Sequence, residues 1–252
     1  MTGTLSHKRG ISMSTYIIGD LHLSFQENKP MSIFGGNWEG HSDKIKKDWE
    51  EKVNPDDTVI LAGDFSWAMN LENTYLDFKF IEDLPGKKIM LKGNHDYWWS
   101  TVTKIKNFLE EKEIKNIDFL YNNSFLIEDK IIVGTRGWSL TDTDNGKKMI
   151  ERESGRLELS IKDGIKKYND DKEIICILHY PPITNLCLQD KSEFFRILKK
   201  YNIKKCFYGH LHGASHKDAI EGIVDGIDLK LISGDYLDFK LLKIIDNKGE
   251  IC

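Results

Sequence analysis

Lys88-Ile89-Met90-Leu91-Lys92-Gly93-Asn94-His95-Asp96 is the stretch on which the fold turns. An apolar run ends abruptly in glycine, and three polar side chains follow without a spacer. This is the pattern of a buried strand delivering chemistry at its C-terminal edge, with Gly93 permitting a turn that a bulkier residue resists. The arrangement recurs along the chain. Thr15-Tyr16-Ile17-Ile18 ends in Gly19-Asp20-Leu21-His22, and Thr58-Val59-Ile60-Leu61-Ala62 ends in Gly63-Asp64. Ile174-Ile175-Cys176-Ile177-Leu178 ends in His179-Tyr180-Pro181-Pro182, and the run to Tyr208 ends in Gly209-His210-Leu211-His212. Any one of these is an ordinary turn, because Asn, Asp and Gly are turn formers. Their shared position at the ends of five apolar runs is what calls for an explanation.

Between the first strands the period is helical. Residues 41–53 carry Ile45, Trp49 and Val53 at i, i+4 and i+8, and Asn54-Pro55-Asp56 stops them. Residues 71–84 repeat the pattern with Leu71, Tyr75, Phe78 and Ile81, and residues 98–113 turn Val102, Ile105 and Leu109 inward. Three strand-then-helix units predict a parallel sheet with helices packed on it. Short strand-like pieces at 119–121, 124–128 and 130–134 predict a second, more antiparallel sheet, which the tail from 219 to 251 can complete. Charged residues 147–169 predict a long helix weakened at Gly155 and Gly164, and 192–201 a further one. Residues 25–40 read as a long loop in which exposed-looking Phe34 and Trp38 are candidates for a substrate lid. Of Trp67, Tyr97, Trp98, Trp99 and Trp138, which follow the motifs closely, most are read as helix-to-sheet packing.

The chain has 252 residues, 40% hydrophobic and 30% charged, enough for a substantial core. A single domain is expected over residues 13–252, with 1–12 an N-terminal extension or alternative start ahead of Met13. A net charge of -4 argues against a generally basic nucleic-acid surface. No apolar run approaches the roughly 18 residues that suggest a membrane span. Cys176, Cys187, Cys206 and Cys252 show no Cys-x-x-Cys spacing, and Cys176 and Cys206 lie inside apolar runs, so buried thiols and a reduced, cytoplasmic setting are expected.

Asp20, His22, Asp64, Asn94, His95, His179, His210 and His212 therefore stand at strand ends, where ligands of open α/β sheets bind. Five of the 8 histidines fall there, and His7, His41 and His216 do not. Carboxylates converging without a cation repel one another, so the set reads as a metal site. Mixed oxygen and nitrogen donors suit manganese, iron, zinc or nickel rather than calcium. Seven ligating side chains exceed one tetrahedral site, and a shared carboxylate allows two divalent or trivalent ions about 3.5–4 Å apart.

Asp20-Leu21-His22, Gly63-Asp64, Gly93-Asn94-His95-Asp96, His179 and Gly209-His210-Leu211-His212 match, in order, the blocks of the calcineurin-like metallophosphoesterases, which this chain resembles from about residue 15 to 212. The resemblance implies a four-layer α/β/β/α sandwich of two mixed sheets flanked by helices, with a dinuclear centre at the strand ends. It implies that Asp20, His22, Asp64 and His212 hold one metal, and that Asp64 as bridge, Asn94, His179 and His210 hold the other. It further implies in-line attack on phosphorus by a metal-bridging hydroxide, with His95 contacting the phosphate of a phosphorylated small-molecule or nucleotide-like mono- or diester and protonating the leaving oxygen. Asp96, adjoining His95, joins the candidate catalytic residues. Many members read Gly-Asp-x-x-Asp, often followed by Arg, the second Asp orienting that histidine. Here Gly63-Asp64-Phe65-Ser66-Trp67-Ala68 lacks both. Arg136, ending a strand, is a candidate to supply the missing cation to a phosphate, whereas Arg152 and Arg156 read as helix surface. The rival reading is a non-catalytic protein-binding scaffold on the same fold, like the retromer subunit that resembles phosphoesterases. The retained ligand set disfavours it.

Overall fold

A computed structural model describes residues 13–252 except 28, 141–142, 170, 186–191 and 247, and of Phe34 the backbone only. Residues 1–12 and Cys187, for which expectations were given above, lie outside the described residues. Two sheets stack face to face. The first runs β11(Leu242–Ile245)-β1(Thr15–Ile18)-β2(Thr58–Ala62)-β3(Lys87–Leu91)-β4(Ile117–Phe119), parallel except for β11. The second runs β5(Phe125–Ile127)-β6(Lys130–Thr135)-β7(Ile174–Leu178)-β8(Lys205–Tyr208)-β10(Ile227–Leu231)-β9(Gly222–Val224).

Strand alternation sorts the core into three layers. In β2, Val59 and Leu61 face α1(His41–Lys52), α2(Tyr75–Glu82) and α3(Val102–Glu111), meeting Trp49, Phe78 and Ile105. Ile60 and Ala62 face the other way and meet Ile132, Ile175 and Ile177 of the second sheet. The far side of that sheet is covered by α4(Asp144–Tyr168) and α5(Glu193–Lys200), whose Leu157, Ile161, Phe194 and Leu198 pack on Val133 and Cys176. This is the α/β/β/α sandwich that the resemblance implies. Both faces of each central strand are covered, which is why those strands read as continuous apolar runs.

The second sheet is not predominantly antiparallel as expected. β6, β7, β8 and β10 run parallel, and only the edge strands β5 and β9 are reversed. The helices α4 and α5 are the reason, because each carries the chain back across the sheet before the next strand starts. β4 and β11, expected among the second sheet's strands, instead extend the first by pairing with β3 and β1. Helix α4 continues unbroken through Gly155 and Gly164, held by its buried stripe and by Thr143, whose side chain caps Gly146 N–H. Among the described residues no helix is long and apolar enough to cross a membrane.

Register puts the strand ends level. Ile18 pairs with Leu61, Ala62 with Leu91, and Leu178 with Tyr208. The residues that follow each strand therefore emerge at one edge of the sandwich.

Candidate metal centre

Past the end of β1, its pairing with β2 continues as two loops running side by side. Asp20 N–H donates to Gly63 O, His22 N–H to Asp64 O and Leu23 N–H to Phe65 O, each at 2.9 Å. Asp20, His22, Asp64 and His210 hold positive φ values of 59°, 46°, 50° and 76°. Non-glycine residues adopt this left-handed region at a cost, tolerated where the surroundings over-determine it. Gly93 and Gly209 allow the close approach. A Cβ on either would collide with a carboxylate oxygen, of Asp64 and of Asp20 respectively.

Donor atoms from both sheets converge. Asp20, His22 and His212 bring ligand atoms within 4.8 Å of one another, and so do Asp20, Asp64 and His179. In the second group the nitrogen of His179 nearest Asp20 is Nδ1, at 3.7 Å, and it donates to Ala62 O at 3.1 Å. The nitrogen left for a cation is Nε2, which faces Asn94 Oδ1 at 2.7 Å and Asp64 Oδ2 at 3.5 Å. Asp64 Oδ2 also lies 3.7 Å from His22 Nε2, so it stands between the two groups. His210 packs its ring 5.2 Å from that of His179, while its N–H donates to Asp20 Oδ2 at 3.0 Å. Five of the seven metal-ligand candidates thus bring ligand atoms together, with Asn94 Oδ1 against His179 and the His210 ring beside it.

The donor set fits a cation. Burial pushes the His179 imidazole toward its neutral form, so its Nε2 lone pair faces the oxygens of Asn94 and Asp64, three donor atoms that a cation between them would suit. Asp64 Oδ2 and His22 Nδ1 are buried without a hydrogen-bond partner. Burial, then Asp96 and Asp20, raise the Asp64 carboxyl well above its ordinary range. Burial raises the Asp20 carboxyl too, but His212, His179 and His22 lower it, and the imidazoles win. Burial pushes His22 well down and, with His179, takes His210 to about 3. His212 is the exception: burial opposes its protonation, but Asp20 and Asp235 raise it to about 10. An imidazolium there supplies the positive charge that a bound cation would supply on displacing its proton.

Asp235 escaped the sequence reading. Its Oδ1 accepts from His212 Nδ1 at 2.8 Å and its Oδ2 from Gly213 N–H at 2.9 Å, directing Nε2 of His212 at the cluster. His216, outside the strand-end motifs, places Nε2 3.2 Å from the same carboxylate. No sequence signal distinguished Asp235, because Ser233-Gly234-Asp235 is an ordinary turn composition.

Two candidate catalytic residues are engaged elsewhere. Asp96 is 1% exposed, and its Oδ2 accepts from Gly93 N–H at 2.7 Å and Asp64 N–H at 3.0 Å. Its Oδ1 accepts from Phe65 N–H at 2.9 Å, Ser66 N–H at 3.3 Å and Trp98 Nε1 at 3.1 Å. Both oxygens are occupied, so Asp96, expected as a candidate catalytic residue, ties the β2 and β3 loops together. Arg136 donates to Glu153 Oε1 at 3.2 Å and lies 4.6 Å over the Trp138 ring.

His95 stands at the rim. Its N–H donates to Asp64 Oδ1 at 2.7 Å, its ring sits 4.5 Å from that of Trp67, and its Nδ1 is 3.3 Å from the Tyr97 hydroxyl. Trp67 and Tyr97 thus border the histidine where an orienting carboxylate is missing. Trp38, expected as an exposed lid residue, is 3% exposed. It packs edge-on against His22, His212 and Phe239, because an indole beside these rings buries its apolar area at the wall.

A family model for calcineurin-like phosphoesterases matches residues 13–214. The chain belongs to that family. Metal-dependent phosphoester hydrolysis is the general activity of that family. The gene 66 protein of Mycobacterium phage L5 is 30% identical over 83 residues, 33% of this chain and 40% of that protein, so the match spans well under two thirds of the relative's length. The solved phosphopantetheinyl hydrolase of Mycobacterium tuberculosis superposes with a TM-score of 0.54 at 15% identity, covering 93% of this chain and 96% of that one. The structure of TT1561 from Thermus thermophilus gives 0.56 at 10% identity, covering 91% and 96%. Both likenesses are of fold. In this calcineurin-like phosphoesterase the strand-end cluster borders a cavity of about 400 Å3, walled by Met31, Trp38, Trp67 and Ala214 together with His22, His95 and His212.

Proposed function

We propose that the protein hydrolyses a phosphate ester at a two-metal centre held by Asp20, His22, Asp64, Asn94, His179, His210 and His212. The observation that carries this reading is the acceptor cluster itself: Asp64 Oδ2, buried and unpartnered, lies between His22 Nε2 at 3.7 Å and His179 Nε2 at 3.5 Å. Asp64 would accordingly be shared between the two ions, with Asp20, His22 and His212 to hold one and Asn94, His179 and His210 to hold the other. Manganese, iron, zinc and nickel suit these donors. Bound there, the cations would neutralise phosphoryl oxygens and provide the nucleophile from water.

The chain's own residues do the rest. Asp235 and the Ala62 carbonyl hold His212 and His179 with Nε2 turned inward. With Nδ1 of His95 next to the Tyr97 hydroxyl, Nε2 is the ring nitrogen left to approach the substrate and give a proton to the leaving oxygen. A scaffold without catalysis has no use for seven converging donors and a histidine at their rim, so the enzymatic reading is preferred.

Two measurements test it. Protein purified without chelator should contain or take up transition metal, and its complete absence would sink the reading. Asp64→Asn should abolish manganese-stimulated hydrolysis of p-nitrophenyl phosphate and of its bis-ester. Near-normal rates in that variant would remove Asp64 from the bridging position. Comparing the two esters in the unmodified protein assigns mono- or diester preference.

A further inference from the structure

We infer that the cavity beside the metal cluster is the subsite for the substrate's ester group, and that it selects one that is flat, aromatic and uncharged. This inference rests on the phosphoester-hydrolase reading above. A phosphoryl group held at the cluster borders His22, His95 and His212, and those three rings also line the cavity, about 400 Å3 in volume. That volume falls within the range of small-molecule sites and exceeds what a bare phosphate requires. An ester group on the side of His95 therefore projects into it.

The lining decides the chemistry. Among the described residues, and apart from the three imidazoles, the side chains facing the cavity are Met31, Trp38, Trp67 and Ala214, with neither a carboxylate nor a carboxamide among them. A sugar or other polyol in this space would leave its hydroxyls without partners, which costs more than an apolar group gains. The walls are also preformed. Trp67 is stacked on His22 at 4.8 Å and 19°, and its Nε1 donates to Met31 Sδ at 3.0 Å. Trp38 is fixed between Phe239 and the two histidines. Rings held this way lose little entropy when another ring enters.

The test is calorimetric titration of the manganese-loaded full chain with three non-hydrolysable ligands: methylphosphonate, phenylphosphonate and cyclohexylphosphonate. Phenylphosphonate is expected to bind at least about tenfold more tightly than methylphosphonate, the gain from burying a ring, and more tightly than cyclohexylphosphonate. In Ala214→Trp, an exposed position of the 3-10 helix Gly213–Asp218 where the added ring fills the cavity, the ratio of phenyl to methyl affinity should fall toward one. Trp67→Leu should lower the same ratio. Equal affinity for phenyl- and methylphosphonate would overturn the subsite while leaving the metal centre in place. Equal affinity for phenyl and cyclohexyl would overturn selection for a flat ring. Failure of all three ligands and of inorganic phosphate to bind would overturn the underlying reading together with the inference.

Discussion

Asp96 accepts five N–H donors, and an asparagine in its place would turn an NH2 group toward some of them. Asp96→Asn is therefore expected to cost about 2–4 kcal/mol in urea denaturation, since each buried donor left unpaired costs about 1–3 kcal/mol. A loss near zero would show that the loop is held by other contacts. Tyr97 makes a different case. Its hydroxyl is 3.3 Å from His95 Nδ1 on an exposed rim, a contact worth about 1 kcal/mol, so Tyr97→Phe should lower kcat about fivefold with metal content intact. An unchanged kcat would leave Trp67 alone to orient the imidazole. At this scale the motif residues were legible because each side chain is chemically committed. Whether a given carboxylate faces metal or backbone was not, as the neighbours Asn94 and Asp96 show: one points into the cluster and the other into the loop behind it.

Elements are coupled by buried polar groups that periodicity cannot reveal. Asp77 of α2 accepts from Phe25 N–H at 2.9 Å and from the Ser66 hydroxyl, joining the helix to the loops that carry His22 and Asp64. Burial raises its pKa to about 6, against the hydrogen bonds from Ser66 and Phe25 that lower it. Because the folded value lies above the unfolded 3.8, the folded chain binds this proton more tightly. Stability from Asp77 should then rise as pH falls from about 6 to 4, and the full penalty of the charged form should be present above pH 6. The change is on the order of 2–3 kcal/mol. Asp77→Asn, whose oxygen and NH2 suit the two partners, should be more stable than the unmodified protein at pH 7 and should lose that slope. Denaturation curves at pH 4.5 and 7 are the check, and a destabilised variant at pH 7 would contradict it. Strands and helices themselves were legible from their runs and stripes, including the three units that open the chain. The placement of β4 and β11 was not, because short edge strands carry no mark of the sheet they join.

The whole sandwich meets at the cluster. Asp20, His22, Asp64 and Asn94 come from the first sheet, and His179, His210 and His212 from the second. A ligand that binds only the folded state stabilises it by about 2.7 kcal/mol at a hundredfold excess over Kd. For a chain of this size, removing the metal with chelator should lower Tm by about 5–10 °C, restored by manganese. A Tm indifferent to both treatments would mean that the sheets do not share a metal. By itself the sequence determined the strand ends, their donor atoms and the strand–helix order, because apolar periodicity and side-chain chemistry are local properties. Tertiary structure alone decided that Asp235 directs His212, that Asp96 serves the backbone, that Arg136 answers to Glu153, and that Trp38 and Trp67 wall a cavity. Each of those depends on which residues distant in the chain come within a hydrogen bond or a ring's width. That distance is fixed only when both sheets and their helices have packed.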